Sequence, residues 1–301
     1  MATKCANPLS NPGNYCDVAI DEIRRVLFVN KYKDDGTLNY ITQSNAAAIA
    51  NWQTLFDKPD FSSSIMEKVV PSHQVWGLTT EQEDNVVDDN NGYLIKLADG
   101  NYTVSYEHIL LEPYSVKQYK SLEEQTLAVY FVDADDRVWG KKSGVNLYPV
   151  DILGVQFSNF SPKTREAASK TMCKFRIKNA TDMNELTSVT IADGDVTSDD
   201  DFYSLIDADI AISSPAVTGC VAVIDTAQGD VAVTGIAYTA FTFVDQADGS
   251  TATLAGVGSV TESPNGTYTI NEAALLTTAH TYDLQVTLSG YNISVGEVVV
   301  P

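Results

Sequence analysis

The stretch YLIKLADGNYTVSYEHIL, from Tyr93 to Leu110, decides the fold class. Tyr93–Leu97 and Tyr102–Leu110 are rich in aromatic and β-branched residues, and Ala98, Asp99, Gly100 and Asn101 stand between them. An Asp-Gly pair supplies the positive φ that a tight turn needs, so the spacing predicts a β-hairpin. Further strand patterns lie on either side. Arg24–Lys33 ends at Asp34, Asp35 and Gly36, Thr126–Val132 runs into an acidic turn at Asp133–Asp136, and Val150–Phe157 and Met172–Ile177 follow. In the last run Lys174, Arg176 and Lys178 alternate with Cys173, Phe175 and Ile177, which puts the cations on one face. That face is either a solvated strand surface or a salt-sensitive contact with an acidic neighbour. Helical spacing is confined to Ser44–Phe56, with Ile49, Trp52 and Phe56 on one side and Pro59 beyond its end, and to Pro113–Gln125. The opening residues, with Asn7, Pro8, Pro12 and Gly13, read as an extended arm.

Charge divides the chain. After Lys178 there is no Lys or Arg, and the 123 residues to Pro301 carry 17 Asp or Glu. The first 178 residues hold all 19 basic side chains against 23 acidic ones, so most of the net charge of −21 lies in the remainder. Two domains are expected, residues 1–186 and 187–301. A region without cations must fold by apolar burial and stays soluble by self-repulsion. From Thr187 on, Ala, Val, Thr, Ser, Gly and Asp dominate, in short alternating runs separated by turn residues. The expected strands are Thr187–Ile191, Ala208–Ile212, Gly219–Ile224, Gly235–Val244, Thr251–Val260, Thr267–Asn271, Tyr282–Leu288 and Val295–Val300. That spacing predicts a β-sandwich, and Tyr282 sits where a corner tyrosine would enter a late strand. The fold class is therefore mainly β, an amino-terminal sandwich or barrel with one or two short helices followed by a second, immunoglobulin-like sandwich.

Reaction chemistry has little to stand on. The three histidines, His73, His108 and His280, are not at ligand spacing, and no nucleophile elbow, zinc helix, phosphate loop or dinucleotide fingerprint occurs. No catalytic, cofactor-binding or metal residue is assigned, and the chain is not expected to be an enzyme. The run from Asp193 to Asp201 resembles a calcium loop but lacks the spaced acid that closes one, so a solvated interdomain linker is the expectation. Cys5, Cys16, Cys173 and Cys220 match no zinc pattern and read as reduced thiols. The amino terminus has no secretory pattern and the longest apolar runs, such as Val298–Val300, span a few residues, so a soluble protein is expected. A charge of −21 repels phosphate, which excludes ordinary nucleic-acid binding. A pore lined with carboxylates, by contrast, lets DNA pass without sticking.

An irregular arm, the hairpin Tyr93–Leu110, the helix–strand unit Pro113–Val132, the strands Val150–Phe157 and Met172–Ile177, and the module Thr187–Pro301 together resemble virion proteins of tailed bacteriophages. The resemblance is greatest to a major tail tube protein carrying a carboxy-terminal immunoglobulin-like domain. It implies homo-oligomeric rings, usually hexameric, stacked into a tube in the virion after assembly in the host cytoplasm. Other tail proteins would be partners, and DNA would transit without specific binding or membrane insertion. It also implies a lumen lined by acids, either Asp133, Asp135 and Asp136 or Glu81, Glu83, Asp84, Asp88 and Asp89. The competing expectation is a capsid decoration protein or adhesin whose last domain binds a host surface or glycan, with Tyr203, Tyr238 and Tyr291 as candidate contacts.

Overall fold

A computed structural model describes residues 22–90, 93–109, 113–165, 168–192, 205–263, 265–273 and 275–301. The protein is mainly β. In chain order the first elements are β1 (Ile23–Asn30), β2 (Ile41–Thr42), α1 (Gln43–Ala46), α2 (Ile49–Phe56), β3 (Val69–Pro71) and β4 (Trp76–Gln82). Then come β5 (Val86–Asn90), β6 (Tyr93–Ala98), β7 (Tyr102–Ile109), α3 (Pro113–Lys120), β8 (Leu127–Asp133) and β9 (Arg137–Ser143). β10 (Asn146–Tyr148), β11 (Val150–Phe157), β12 (Lys170–Ile177) and β13 (Leu186–Thr190) complete the series. All but β5 and β6 of these strands form one eleven-stranded sheet. The expected arm at Asn7–Asn14, the acidic run Asp193–Asp201, Cys5, Cys16 and Tyr203 lie outside the described residues.

The sequence LAVYFVD of β8 explains how that sheet is built. It has no polar residue before its last, and every position is buried. A strand covered on both faces must pair all its backbone groups within the sheet. One edge of β8 pairs with β1 from Ile23↔Asp133 to Asn30↔Leu127. The other edge is shared: Ala128 and Val129 pair with β11, and Phe131 and Val132 pair with β9. The sheet forks there, one arm running β9–β10–β2 and the other β11–β12–β7–β4, and curls around a core that includes Phe28, Val129, Phe131, Phe157 and Phe175. Burying each such side chain contributes roughly 1.5–3 kcal/mol. Helix α3 closes the core with Val116 and Tyr119, and Tyr119 stacks on Phe157 at 5.3 Å between ring centroids.

The second half forms β14 (Ile206–Ala216), β15 (Gly219–Thr226), β16 (Phe241–Asp245), β17 (Thr251–Thr253), β18 (Val260–Ser263) and β19 (Thr267–Ile270), then β20 (Thr281–Val286), β21 (Tyr291–Ile293) and β22 (Gly296–Val299). A five-stranded sheet, β18–β19–β15–β14–β21, and a four-stranded one, β17–β16–β20–β22, share one core in which Ala222, Ile224 and Tyr268 meet Phe241, Phe243 and Leu284. Tyr282 opens β20, and its hydroxyl accepts the Thr277 N–H at 3.0 Å, the bond of a corner tyrosine.

Four expectations are corrected. First, β6 and β7 flank Asp99-Gly100 but do not pair: β6 pairs with β5, and β7 with β4 and β12. Second, the helix expected over Ser44–Phe56 is two helices, and the cap is Thr42, whose hydroxyl accepts the Asn45 N–H at 3.3 Å. Third, the strand placed at the head of the second domain is β13, which pairs with β9 from Leu186↔Lys141 to Thr190↔Arg137 in the first sheet. The loss of cations after Lys178 thus precedes the structural boundary. Fourth, the strands expected over Gly235–Val244 and Thr251–Val260 are shorter, because Gly235 takes φ 79° and short 3-10 turns interrupt both.

The described residues fall into two units, one within Met1–Gln53 and Val69–Tyr203, the other within Thr54–Lys68 and Ser204–Pro301. The strap Thr54–Lys68 therefore crosses in sequence to the second unit. Asn292 fastens it: its Oδ1 accepts the Asp60 N–H at 3.0 Å, and its Nδ2 donates to Asp60 at 3.0 Å and Asp207 at 2.8 Å. Lys58 and Lys68 come with the strap but pair within it, with Glu67 at 3.0 Å and Asp60 at 3.1 Å. Among the described residues no helix is long and apolar enough to cross a membrane.

Asp133 terminates β8 with its side chain fully buried. One carboxylate oxygen accepts the N–H groups of Asp135 and Arg137 at 3.0 Å each, and the other accepts the Trp139 indole N–H at 2.7 Å. Replacing Asp133 by Ala strands the buried Trp139 indole N–H, at a cost of about 1–3 kcal/mol, and removes the acceptor of two part-buried N–H groups. The D133A protein is expected to lose about 2–4 kcal/mol of stability in urea unfolding, on the same per-donor cost. A loss below about 1 kcal/mol, the net value of one ordinary hydrogen bond, contradicts this account.

Candidate assembly surface

The eleven-stranded sheet has several ends, and they differ. β2 is two residues long, β3 is three residues and finishes at Pro71, and β13 is five. β4 spans seven, WGLTTEQ, with all but Leu78 exposed, and among the described residues it pairs only with β7. Its register with β7 runs from Trp76↔Glu107 to Gln82↔Tyr102, with a shift after Trp76. Trp76–Gln82 is a strand that sequence reading passed over, since only Leu78 is partly covered and no burial period marks it. Trp76 is 45% exposed at the head of this edge.

The same ribbon continues beyond the sheet as β5–β6, from Val86↔Ala98 to Asn90↔Tyr93, and these two strands pair with no others among the described residues. A knot of hydrogen bonds joins the two stretches. Glu83 N–H donates to Asn101 O at 2.9 Å, Asn101 Nδ2 donates to the Glu83 carboxylate at 2.5 Å, and Gly100 N–H donates to Asn85 Oδ1 at 3.0 Å. Gly100 is required there by close approach and not by a positive φ: a Cβ on it would collide with the backbone carbonyl of Glu83. The Asp-Gly pair is therefore the waist of a long ribbon and not a hairpin turn, since β6 runs back along β5 from Tyr93 to Ala98. Edges of this kind leave a row of backbone N–H and C=O groups able to accept another strand.

The two acidic runs named from sequence separate clearly. Asp133 is a buried structural acceptor, Asp135 pairs with Arg137 at 2.9 Å, and Asp136 holds φ 57° in the turn, so this run serves the β8–β9 hairpin. As a lumen lining it is corrected by the burial of Asp133. Glu81, Glu83 and Asp84 are exposed along β4 and the waist, and Asp88 and Asp89 lie on β5. On and just after β12, Lys174, Arg176 and Lys178 are exposed and alternate with buried Cys173, Phe175 and Ile177, as the period-two pattern predicted, and exposed Lys170 and buried Thr171 begin the strand. Lys170 pairs with Glu107 at 2.7 Å, and Arg176 lies 3.7 Å from Glu83.

The histidines serve packing. His73 is exposed on its loop. His108 is fully buried and stacks on Tyr119 at 5.4 Å, with Nδ1 3.3 Å from Gln74 O. Burial pushes its imidazole down to about 4. His280 Nδ1 lies 2.5 Å from the carboxylate of Asp245, which is held below the usual range by that hydrogen bond and by the Ala247 N–H. Cys173 and Cys220 are buried free thiols that burial pushes up to about 12. Among the described residues no three His, Cys, Asp or Glu side chains gather as metal ligands.

No protein-family description matches this sequence, and no curated protein does. Among solved structures, a chain in the cryo-EM structure of the anti-feeding prophage (AFP) baseplate, 6-fold symmetrised, is similar over 58% of this chain and 97% of that one, at 10% identity and a TM-score of 0.27. At that score the likeness carries no assignment, and the architecture rests on the sheets described above.

The buried imidazole sets a pH dependence. His108 is neutral in the fold down to about 4 and takes up a proton near 6.5 once unfolded. Its contribution to stability is therefore complete above pH ~6.5 and falls as pH drops toward ~4, by up to about 3 kcal/mol. Urea unfolding of wild type and His108→Gln between those limits should show a shallower acid decline in the variant. Parallel declines would show that His108 is not responsible.

Proposed function

We propose that this chain is a non-enzymatic structural subunit of a phage-like virion that assembles with copies of itself into stacked rings forming a tail tube. One observation carries the reading: a seven-residue exposed edge strand continues into a self-paired ribbon, while the sheet's other ends are short or stopped by proline. Proteins that remain monomers blunt such edges, so a long one left open is explained by closure against a neighbouring subunit. Rings formed this way remove the edge altogether. Glu81, Glu83 and Asp84, exposed on the same ribbon, are the acids available to face passing DNA and keep it from adhering. The second unit, with its excess of carboxylates, decorates the outside and maintains solubility. The adhesin alternative has less support, because Tyr238 and Tyr291 pack against the sandwich core instead of standing free at loop ends.

Gln82 and Tyr102 are register partners, so residues 83–101 can be replaced by a two-residue Asn-Gly turn without disturbing the sheet. Wild-type protein should form rings or tubes in negative-stain electron microscopy. The shortened variant should melt at a similar temperature and remain unassembled. Rings formed equally well by the variant would remove the ribbon from the assembly, and a wild type that never assembles would end the proposal.

A further inference from the structure

The second unit places carboxylates against each other. Asp209 on β14 stands directly opposite Asp225 on β15, and Asp283 on β20 directly opposite Glu297 on β22. Like charges facing across an antiparallel pair are destabilising. The sequence offers no Lys or Arg anywhere after Lys178 to relieve them, and the strap lysines are engaged by Glu67 and Asp60. Asp283 receives a hydrogen bond from Gln246 at 2.6 Å. Asp209 and Asp225 have no cationic partner among the described residues, and Asp207 extends the same face.

The opposite excess sits in one segment of the first unit. Residues 158–178 hold six basic side chains and one acidic, a surplus of five positive charges in a chain of net −21. Lys163 and Arg165 are exposed on the loop before β12, and Lys174 and Lys178 are exposed on and just after it. None of these four has a carboxylate partner among the described residues, whereas Lys170 and Arg176 do. Lys174 is flanked in register by Ser105 on β7 and Gln156 on β11, so its neighbours leave its charge uncompensated.

We propose that the Asp209–Asp225 face of one copy docks on the Lys163–Arg165–Lys174 surface of a second copy of this chain. Each surface carries an unbalanced charge that the other neutralises, so contact relieves repulsion within the acidic sheet as well as adding attraction between copies. The docking rests on the reading that copies assemble, and adds a face-to-face contact distinct from the closure of sheet edges. Its signature is salt: an exposed charge contact is steered at long range and screened once ionic strength rises.

Self-association of the full chain, followed by sedimentation velocity, is expected to weaken from about 50 mM to about 500 mM salt as the Debye length shortens. K163E/R165E/K174E and D209K/D225K should each weaken it about tenfold or more at low salt, the scale of a lost charge contact. An equimolar mixture of the two should recover association, because each then meets its complement. D209N/D225N guards against misfolding: relieved of repulsion, it should melt no lower than wild type yet associate more weakly. Association indifferent to salt and to every variant, with rings still present by microscopy, overturns this contact and leaves the assembly reading standing. A wild type that is monomeric throughout and forms no rings overturns both.

Discussion

Complete burial of β8 is the constraint from which the first unit follows. Seven residues covered on both faces leave no route for their amides and carbonyls to water, so each must find a strand. β1 satisfies one side over its whole length. The other side is longer than either β11 or β9 covers alone, and the two divide it. From that division come both arms of the curled sheet, and with them the position of β4 at the far end of one arm. Asp133 belongs to the same logic. It is the one carboxylate in a buried apolar strand, and it is tolerated because three donors converge on it at the start of the hairpin to β9.

Strand content was legible wherever burial imposed a period. β12 reads correctly because Cys173, Phe175 and Ile177 face the core while Lys174 and Arg176 do not. β8 reads correctly because its short run, rich in β-branched and aromatic residues and closed by an acidic turn, fits a buried strand better than a helix. Pairing was not legible. Asp99-Gly100 matches a hairpin turn in composition, but glycine answers two demands, positive φ and the absence of a Cβ, and a sequence does not say which. At Gly100 the second applies, since Glu83 backbone fills the space. The domain boundary failed for a related reason: charge composition is a surface property and changes at Lys178, whereas β13 stays in the first sheet by backbone pairing with β9. The edge at β4 was missed because an exposed strand carries no burial period to detect. The corner bond of Tyr282 was legible because it is local, its partner lying five residues upstream.

The acidic half can be judged more closely through its partners. Among ten carboxylates from Asp207 to Glu297, several are satisfied by neutral donors or by His280: Asn292 for Asp207, His280 and a backbone amide for Asp245, Ser259 and a backbone amide for Glu272. The hydrogen bonds from Asn292, Ser259 and the backbone amides hold without Lys or Arg. The cross-strand pairs Asp209–Asp225 and Asp283–Glu297 stand apart; Asp283 is relieved by Gln246, whereas Asp209 and Asp225 have no cationic partner among the described residues. Two acids set face to face on a solvent-facing sheet make a surface that nearby positive charge stabilises.

In the assembly proposed above, edge and charge divide the work of association by range. A backbone ladder on β4 and the β5–β6 ribbon is short-ranged and indifferent to side chains, so it provides strength but little choice of partner. Left alone, an exposed edge of that length is an aggregation hazard. Net charge of one sign opposes indiscriminate contact, while the cationic segment 158–178 gives copies one orientation in which repulsion turns to attraction. The long-range term thus selects the approach in which the short-range one forms. Under that proposal, the like charge of the second unit is what keeps the open edge of the first from uncontrolled growth.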